Sequence, residues 1–325
     1  MKQLFIVNPV AGGKKNRCKE TVRHIHDVMA SYSMPYEIYI TKAPMDACEK
    51  IRSEAGSGEP LRVYACGGDG TLNECVNGAA GFSHVAVTHY PTGTGNDFVK
   101  MFGPEDAAKF CDLPALIGGF IRPVDLIELQ TPAEGRRLGV NICSVGIDAR
   151  IGTDVHKYSG IPLIGGATGY VVSMFVNLIR GVNQRLRIST AHLSLDGSFA
   201  LVCVCNGRFY GGGFNPVPEA LPDDGILDFL VVKEVTRLTF LRIVGKYAKG
   251  RFSEYEDIIT HIRGNYMRIE SEKELAVNVD GELIPAKDLT FKIIPRGVNF
   301  IFPSGLRFFV SNVSFDDEIT SKQEI

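Results

Sequence analysis

One stretch decides the fold: RVYACGGDGTLNE, residues 62–74. Its first part, residues 62–66, is apolar and predicts a strand, and residues 71–77 carry the pattern of a short helix. Between them stands a glycine-rich turn with a single carboxylate, Asp69. A strand that passes through such a turn directly into a helix is the beginning of a βα unit.

The residues on both sides of this stretch repeat the same alternation. Strands are predicted at 4–7, 36–40 and 85–89, and helices at 15–30 and 46–55. Strands and helices that alternate at this spacing form a mostly parallel sheet with helices on both faces. The sequence therefore predicts an α/β N-terminal domain, Rossmann-like with a parallel sheet, over residues 1–122.

Beyond residue 122 strands follow one another closely, which predicts a second domain over residues 123–302. It is expected to be an antiparallel, β-sandwich-type domain, with one helix at 238–249. Asp196-Gly197 is typical of a hairpin turn between two of its strands. Residues 303–325 are expected to fold back and complete the first domain. The predicted strands are 124–129, 138–143, 185–189, 192–195, 199–205, 226–232 and further strands within 266–302.

Composition excludes several classes. A formal net charge of −2 over 325 residues provides no basic field for nucleic acid. The eight cysteines lack a Cys-x-x-Cys pair, which favours reduced, mostly buried thiols in a cytoplasmic setting.

Residues 158–179 carry no charge, but glycines and Pro162 interrupt the run. We expect a buried helix there, or a wall for an apolar ligand, and no transmembrane segment.

Three turns follow three of the predicted N-terminal strands: residues 8–13, 67–74 and 91–98. In an open α/β sheet, ligands bind outside the carboxyl ends of the strands, so these turns are expected to meet at one crevice. Glycines let backbone N–H groups point at an anion, and the helix start at Thr71 adds its own N–H groups. Because Asp69 would repel a bare phosphate, the pattern favours a magnesium-bound nucleotide.

The turn after the fourth strand repeats this chemistry. The Thr94 hydroxyl can donate to a phosphate, Asn96 can bond a base or ribose, and Asp97 brings a second carboxylate. Asn96 or Asp97 is equally suited to cap the following helix. The sequence lacks the motifs of three other nucleotide-binding classes, which are the P-loop enzymes, the protein kinases and the NAD-dependent dehydrogenases.

At these motifs the sequence resembles the diacylglycerol kinase family. Residues 67–74 are similar to the nucleotide loop shared by diacylglycerol, sphingosine and NAD kinases and phosphofructokinases. Residues 93–98, Gly-Thr-Gly-Asn-Asp-Phe, are typical of the lipid-kinase branch, which includes the bacterial YegS-like proteins. Residues 8–12, 218–228 and 279–282 match the same branch, although Ala11 and Gly95 stand where the family usually has Ser and Ala.

The resemblance implies roles for particular residues. Glu282 is expected to be the general base, and Asp69 and Asp97 are expected to organise a catalytic Mg²⁺ through water. Asp224, with the carbonyl oxygens of Leu221 and Ile226, resembles the family's structural Mg²⁺ site. Residues implied in binding ATP are Asn8, Pro9, Gly12, Thr41, Gly67, Gly68, Asp69, Gly70, Thr71, Asn73, Thr94 and Asn96.

The function implied is an ATP-dependent lipid kinase, acting on diacylglycerol or a related lipid presented at the interdomain cleft. Such an enzyme needs only peripheral membrane contact, to which the basic residues 14, 15, 17 and 19 can contribute, unless they form a solvated helix face. Two alternatives stay open: a kinase for a soluble acceptor, as in the NAD kinase branch, and a nucleotide-binding regulatory module without turnover. The identity of the lipid and a homodimeric assembly are also open.

Overall fold

The computed structural model describes residues 1–13, 16–147, 149 and 182–309. They form two compact units. Unit 1 comprises Met1–Arg122 and the described residues from Asn299 onward, and unit 2 comprises Pro123–Val298. The predicted second domain extended to residue 302, whereas its last four residues lie in unit 1. They do so because Asn299 and Phe300 pair with a strand of that unit, opposite Ala86 and Val87.

The described residues contain thirteen strands and seven α-helices. The strands are β1 (Lys2–Val7), β2 (Tyr36–Ile40), β3 (Leu61–Gly67), β4 (Val85–Pro91), β5 (Phe120–Thr131), β6 (Gly135–Gly139), β7 (Ile142–Gly146), β8 (Gln184–Ser189), β9 (Ser194–Cys205), β10 (Leu227–Lys233), β11 (Ile259–Gly264), β12 (Tyr266–Val279) and β13 (Glu282–Phe302). The helices are α1 (Arg17–Met29), α2 (Asp46–Ala55), α3 (Asp69–Ala79), α4 (Asp97–Lys100), α5 (Pro104–Lys109), α6 (Leu113–Ile117) and α7 (Arg237–Tyr247).

In unit 1 the strands lie in the order β2-β1-β3-β4-β13. The pairs β1–β2, β1–β3, β3–β4 and β4–β13 are all parallel. β1 and β3 lie inside the sheet, and their apolar side chains are almost completely buried. Because the strands run the same way, β1, β3 and β4 end at the same edge, and this edge holds the three turns that the sequence singled out.

In unit 2 the strands pair antiparallel, in the order β11-β10-β9-β7-β12-β13. β8 pairs with β9 and β12, and β5 pairs with β6. The helix α7 stands between β10 and β11 in the chain. An α/β unit followed by an antiparallel β unit confirms the predicted two-domain class.

Two strand predictions in unit 2 were wrong. The predicted strand at 138–143 is divided between β6 and β7, because the Asp280 carboxylate binds the backbone N–H groups of residues 140–142. The hairpin turn predicted at Asp196-Gly197 lies inside the continuous strand β9. The chain turns earlier, where Thr190 N donates to Leu193 O (2.8 Å). Gly197 instead faces Leu186 in the β8–β9 ladder.

No helix within the described part of the chain combines the length and the hydropathy needed to cross a bilayer. The uncharged stretch 158–179, with its predicted buried helix and acyl-chain contacts, lies outside the described residues, as do Lys14 and Lys15. Of the free cysteines, Cys111 is exposed and Cys18 is half-buried, whereas the other six are buried.

Candidate functional site

The turn after β3 is shaped by glycine. A Cβ atom on Gly67 would stand 2.2 Å from Thr71 Oγ1, so only glycine allows the first turn of α3 to fold back on the strand. The helix begins at Asp69, two residues before the predicted start, with Gly68 in an extended conformation ahead of it. The first N–H groups of a helix have no intrahelical acceptor. They are therefore available to an anion at this edge of the sheet.

The turn after β1 is tied to the same place through Asn8. Its Nδ2 donates to Thr71 Oγ1 (3.0 Å), and its Oδ1 accepts from Val10 N (3.0 Å). Gly12 has a φ of 71°, and a Cβ there would lie 2.7 Å from Thr92 O. The first turn therefore contacts both the turn after β3 and the turn after β4.

The turn after β4 lies against the turn after β3. The carbonyl oxygen of Gly67 accepts from Thr92 N (2.9 Å) and Gly93 N (3.0 Å). A Cβ on Gly93 would stand 2.4 Å from the Cα of Gly68. The two backbones are in direct contact, so the predicted convergence of these turns is present in unit 1.

Asp69 and Asp97 meet at this junction. Asp69 Oδ1 accepts from Asp97 N (2.6 Å) and Phe98 N (3.4 Å), so it caps α4. Asp97 is almost fully buried, and its Oδ1 accepts from Lys100 Nζ (2.5 Å). Burial raises the pKa of Asp69, and the nearby Asp97 carboxylate raises it further, against the opposing effect of His89. Two carboxylates close together, one buried and one partly buried, favour a cation between them.

Both carboxylates also face Gly95. A Cβ on Gly95 would lie 2.8 Å from Asp69 Oδ2 and 3.8 Å from Asp97 Oδ2. Gly95 replaces the alanine that is usual in the family, and here it leaves open the space beside the two carboxylates. A magnesium ion suits such a position because it prefers one or two carboxylates and keeps several of its waters.

The remaining predicted nucleotide contacts differ in their surroundings. Thr41 lies beside the end of β1, where its N–H donates to Val7 O (3.0 Å), and Thr94 is exposed. Asn96 has a φ of 51°; its Nδ2 donates to Gly93 O (2.9 Å), while its Oδ1 is buried and has no hydrogen-bond partner among the described residues. Asn73 is buried and accepts from Asn77 Nδ2 at both its backbone and side-chain oxygens. Its part in nucleotide binding stays a prediction.

In unit 2, Glu282 begins β13 directly after a two-residue turn, Asp280-Gly281. The turn has positive φ at both positions, 48° and 102°. Glu282 is half-buried, so its carboxylate keeps access to solvent. The Asp280 carboxylate accepts three backbone N–H groups, from Val140 (2.7 Å), Asn141 (3.1 Å) and Ile142 (3.0 Å). This network fixes the backbone from which Glu282 projects.

The predicted structural metal position in unit 2 is partly occupied by protein groups. Asp224 Oδ1 accepts from Ile226 N (3.1 Å), and its Oδ2 pairs with Arg263 (2.7 Å). Burial raises the pKa of Asp224, and the charges of Asp228 and Asp125 add to the rise while Arg263 opposes it. Within the described ranges, no three His, Cys, Asp or Glu side chains gather as a metal cluster. The predicted set of Mg²⁺ ligands contains one side chain, that of Asp224, and two backbone carbonyl oxygens.

Two family models match the chain. Residues 2–129 match the diacylglycerol kinase catalytic domain, and residues 141–302 match the YegS C-terminal NAD kinase beta sandwich-like domain. The chain belongs to the family of YegS-like, diacylglycerol kinase-like lipid kinases. The first model spans the three turns of unit 1, and the second includes Asp280 and Glu282.

Individual relatives agree with this assignment. A "Probable lipid kinase YegS-like" of Stenotrophomonas maltophilia is 29% identical over 276 residues, 83% of this chain and 87% of the relative. A protein of the same description from Pseudomonas aeruginosa is 27% identical, covering 79% and 81%. The crystal structure of a "putative diacylglycerol kinase" from Bacillus anthracis has a TM-score of 0.70 at 26% identity and covers 93% of this chain and 97% of that one.

Sequence reasoning missed two residues of this lipid-kinase family member. His89, fully buried within β4, donates from Nε2 to Gly67 O (3.2 Å). Because that oxygen can only accept, Nε2 carries the proton. Burial lowers the pKa of His89. The second is Asp280, whose three-donor network is invisible in sequence because the donors lie about 140 residues away.

Proposed function

We propose that this chain is an ATP-dependent lipid kinase that transfers the γ-phosphate of ATP to the hydroxyl of diacylglycerol or a related lipid. One observation carries the proposal: the turns after β3 and β4 touch through glycine backbones and bring two carboxylates, the partly buried Asp69 and the buried Asp97, to the start of α3. A backbone anion site beside paired carboxylates suits a nucleotide phosphate with its cation.

Unit 1 acts in this proposal as a Rossmann-like nucleotide-binding domain. The phosphates lie over Gly68–Thr71, where the open helix start offers N–H groups and the positive end of the helix dipole. Asn8 holds Thr71 in place and orients the turn. Further contacts to the nucleotide are proposed for Pro9, Gly12, Thr41, Gly67, Asn73, Thr94 and Asn96.

The residues at the junction fit a catalytic magnesium ion. Asp69 Oδ2 faces the open space at Gly95, close to the Asp97 carboxylate. The raised pKa of Asp69 reflects a partly buried carboxylate beside a second one, whose charge a cation would neutralise. When bound, Mg²⁺ would neutralise charge on the phosphates during transfer. Asp69 and Asp97 are proposed to orient it, while Lys100 limits the negative charge on Asp97.

Glu282 is proposed to be the general base that takes the proton from the lipid hydroxyl. A half-buried carboxylate on a rigid hairpin suits that role, because the base must hold one position relative to the hydroxyl. The Asp280 network fixes the hairpin backbone. Phosphoryl transfer otherwise requires mainly positioning and charge neutralisation from the protein.

A second Mg²⁺ is proposed at Asp224 with the carbonyl oxygens of Leu221 and Ile226. Arg263 already supplies positive charge to Asp224 at 2.7 Å, so the ion must compete with it or share the carboxylate. Magnesium should therefore raise the melting temperature of the wild-type protein more than that of Asp224→Asn. Equal shifts in both proteins would contradict this site.

The lipid substrate places the enzyme at a membrane surface, and we propose a cytoplasmic, peripherally bound protein. The direct test is transfer of labelled γ-phosphate from magnesium ATP to a panel of lipids in mixed micelles. Wild type is compared with Glu282→Ala, and with Glu272→Ala as a matched control at an exposed glutamate of β12. Label is expected in a lipid with wild type and Glu272→Ala but not with Glu282→Ala.

Other outcomes distinguish the alternatives. Label that enters NAD or a sugar phosphate and no lipid would move the chain to the soluble-acceptor class. ATP binding without transfer to any acceptor would favour a regulatory module. Full transfer by Glu282→Ala would remove that residue from the role of general base.

A further inference from the structure

The outer face of α7 in unit 2 carries exposed leucines. Leu238 is 76% exposed and Leu241 is 38% exposed. They lie one turn apart, and together with Arg242 and Gly245 they follow the i, i+3, i+4, i+7 spacing of one helical stripe. We call this stripe, with Lys249 just beyond the helix end, the α7 face.

The opposite side of the helix fixes its orientation. Phe240, Ile243 and Tyr247 are buried in a core cluster of unit 2 that also contains residues of β9 and β10. The Thr236 side chain caps the helix by accepting from Thr239 N (3.2 Å). The packing of the helix is therefore complete without Leu238 and Leu241. One exposed leucine is ordinary on a protein surface, but two on one stripe are available to a partner.

Charge indicates what kind of partner fits this face. Residues 235–253 contain five basic side chains and no acidic one. Lys246 and Arg251 pair with Glu254, which begins the acidic residues that follow. Arg242 and Lys249 are exposed and pair with no acidic side chain among the described residues. The leucines thus stand beside positive charge that the fold does not neutralise.

We propose that the α7 face docks onto an anionic lipid bilayer. Helices that lie in a membrane interface combine apolar side chains, which enter the boundary between headgroups and acyl chains, with Lys and Arg that bind anionic headgroups. A second copy of the chain fits less well, because a twofold contact centred on this face would set Arg242 against its own equivalent. The inference rests on the proposed function only in that a lipid acceptor requires contact with a membrane.

The test measures binding to vesicles of 70% phosphatidylcholine and 30% phosphatidylglycerol by co-sedimentation, without ATP. Two double variants are compared with wild type: Leu238→Ser/Leu241→Ser and Arg242→Gln/Lys249→Gln. The matched control is Arg185→Gln/Arg187→Gln, which removes two exposed positive charges from β8 of the same unit. Melting temperatures and ATP binding confirm that every variant is folded.

Both α7 variants are expected to bind less. Each basic residue near an anionic surface contributes about fivefold in partitioning, so the charge variant should lose roughly 25-fold. Burial of a leucine contributes roughly tenfold, so the leucine variant should lose at least that much. The control should bind like wild type, and vesicles of phosphatidylcholine alone should bind all four proteins weakly.

Three results would overturn the proposal. They are failure of wild type to bind the anionic vesicles, binding by both α7 variants that is as tight as that of wild type, and a leucine variant that dissociates a dimer which does not bind vesicles. Because no turnover is needed, the two proposals fail separately. If wild type fails to bind vesicles while it still transfers phosphate to micellar lipid, only the α7 face is refuted. If wild type binds vesicles in the expected way but transfers no phosphate, only the kinase assignment is refuted.

Discussion

Two aspartates, each followed by glycine, have opposite surroundings in the two units. In unit 2 the Asp280 carboxylate is saturated by three backbone N–H groups. In unit 1 one oxygen of Asp69 caps α4, while the other faces Gly95 beside a second carboxylate. Asp280 therefore stabilises the fold, whereas Asp69 holds a partly buried charge that a ligand can neutralise. The same dipeptide fixes a backbone where N–H donors surround its carboxylate, and we propose that it binds a cation where a second carboxylate lies beside it.

The largest effect is expected from Asp280→Ala. Three buried N–H groups would lose their acceptor, and alanine would have to adopt a φ of 48°. Each unsatisfied buried donor costs about 1–3 kcal/mol, so a loss of roughly 4 kcal/mol in the free energy of unfolding is expected. Urea unfolding measures it. Asp280→Asn keeps one acceptor and tolerates the positive φ, so it should lose less, and a loss below about 1 kcal/mol in the alanine variant would contradict the network.

The next effect is expected from Gly93→Ala in unit 1. The added methyl group would stand 2.4 Å from the Cα of Gly68, and neither backbone can move without separating the turns. A loss of roughly 2 kcal/mol in stability is expected, together with weaker ATP binding. Gly197→Ala is the control, since its Cβ would meet only ordinary contacts with the Phe199 ring. Equal melting temperatures for the two variants would show that the turns are not in contact.

Asp69→Asn should separate stability from function. Because the pKa of Asp69 is raised in the folded protein, its contribution to stability is fully present below the unfolded pKa and is lost as pH rises through the folded value. At pH 7 without ligands, the asparagine variant should therefore melt above wild type, and the difference should shrink toward pH 4. Its phosphoryl transfer should fall sharply. A variant that melts below wild type at pH 7 would contradict the buried-charge account.

The smallest expected effect on stability comes from a cluster of four charged side chains that lies away from the turns of unit 1. Lys2 and Lys50 each bond both Glu37 and Glu54, at 2.6–2.7 Å. These bonds lower the pKa of both glutamates, so their stabilisation is present above the unfolded pKa and is lost as pH falls. A double-mutant cycle of Lys50→Ala and Glu37→Ala should give a coupling of about 0.5 kcal/mol, reduced by salt. Coupling above about 2 kcal/mol would contradict this estimate.

Local patterns were sufficient to predict much of unit 1. The predicted helix 46–55 and strand 36–40 match α2 and β2 residue for residue. The convergence of the turns followed from parallel strand ends. Unit 2 was harder to predict from the sequence. The division between β6 and β7 depends on the distant Asp280, and the chain turns between β8 and β9 before it reaches Asp196-Gly197, where the turn was predicted. Contacts between residues far apart in sequence leave no periodic trace.

One measurement decides whether the turn after β3 holds the nucleotide. It is the binding of magnesium ATP to Gly70→Ala, measured by calorimetry together with the melting temperature. Gly70 lies in the first turn of α3, and a Cβ there would meet no atom of the described residues within 4 Å, apart from its chain neighbours and the backbone of its own helix. Alanine in a helix is favoured over glycine by about 0.5–1 kcal/mol, so the fold should be unharmed or slightly more stable. ATP affinity should nevertheless fall at least about tenfold, because the methyl group occupies the space proposed for a phosphate. Unchanged affinity with unchanged stability would contradict the claim that this turn holds the nucleotide.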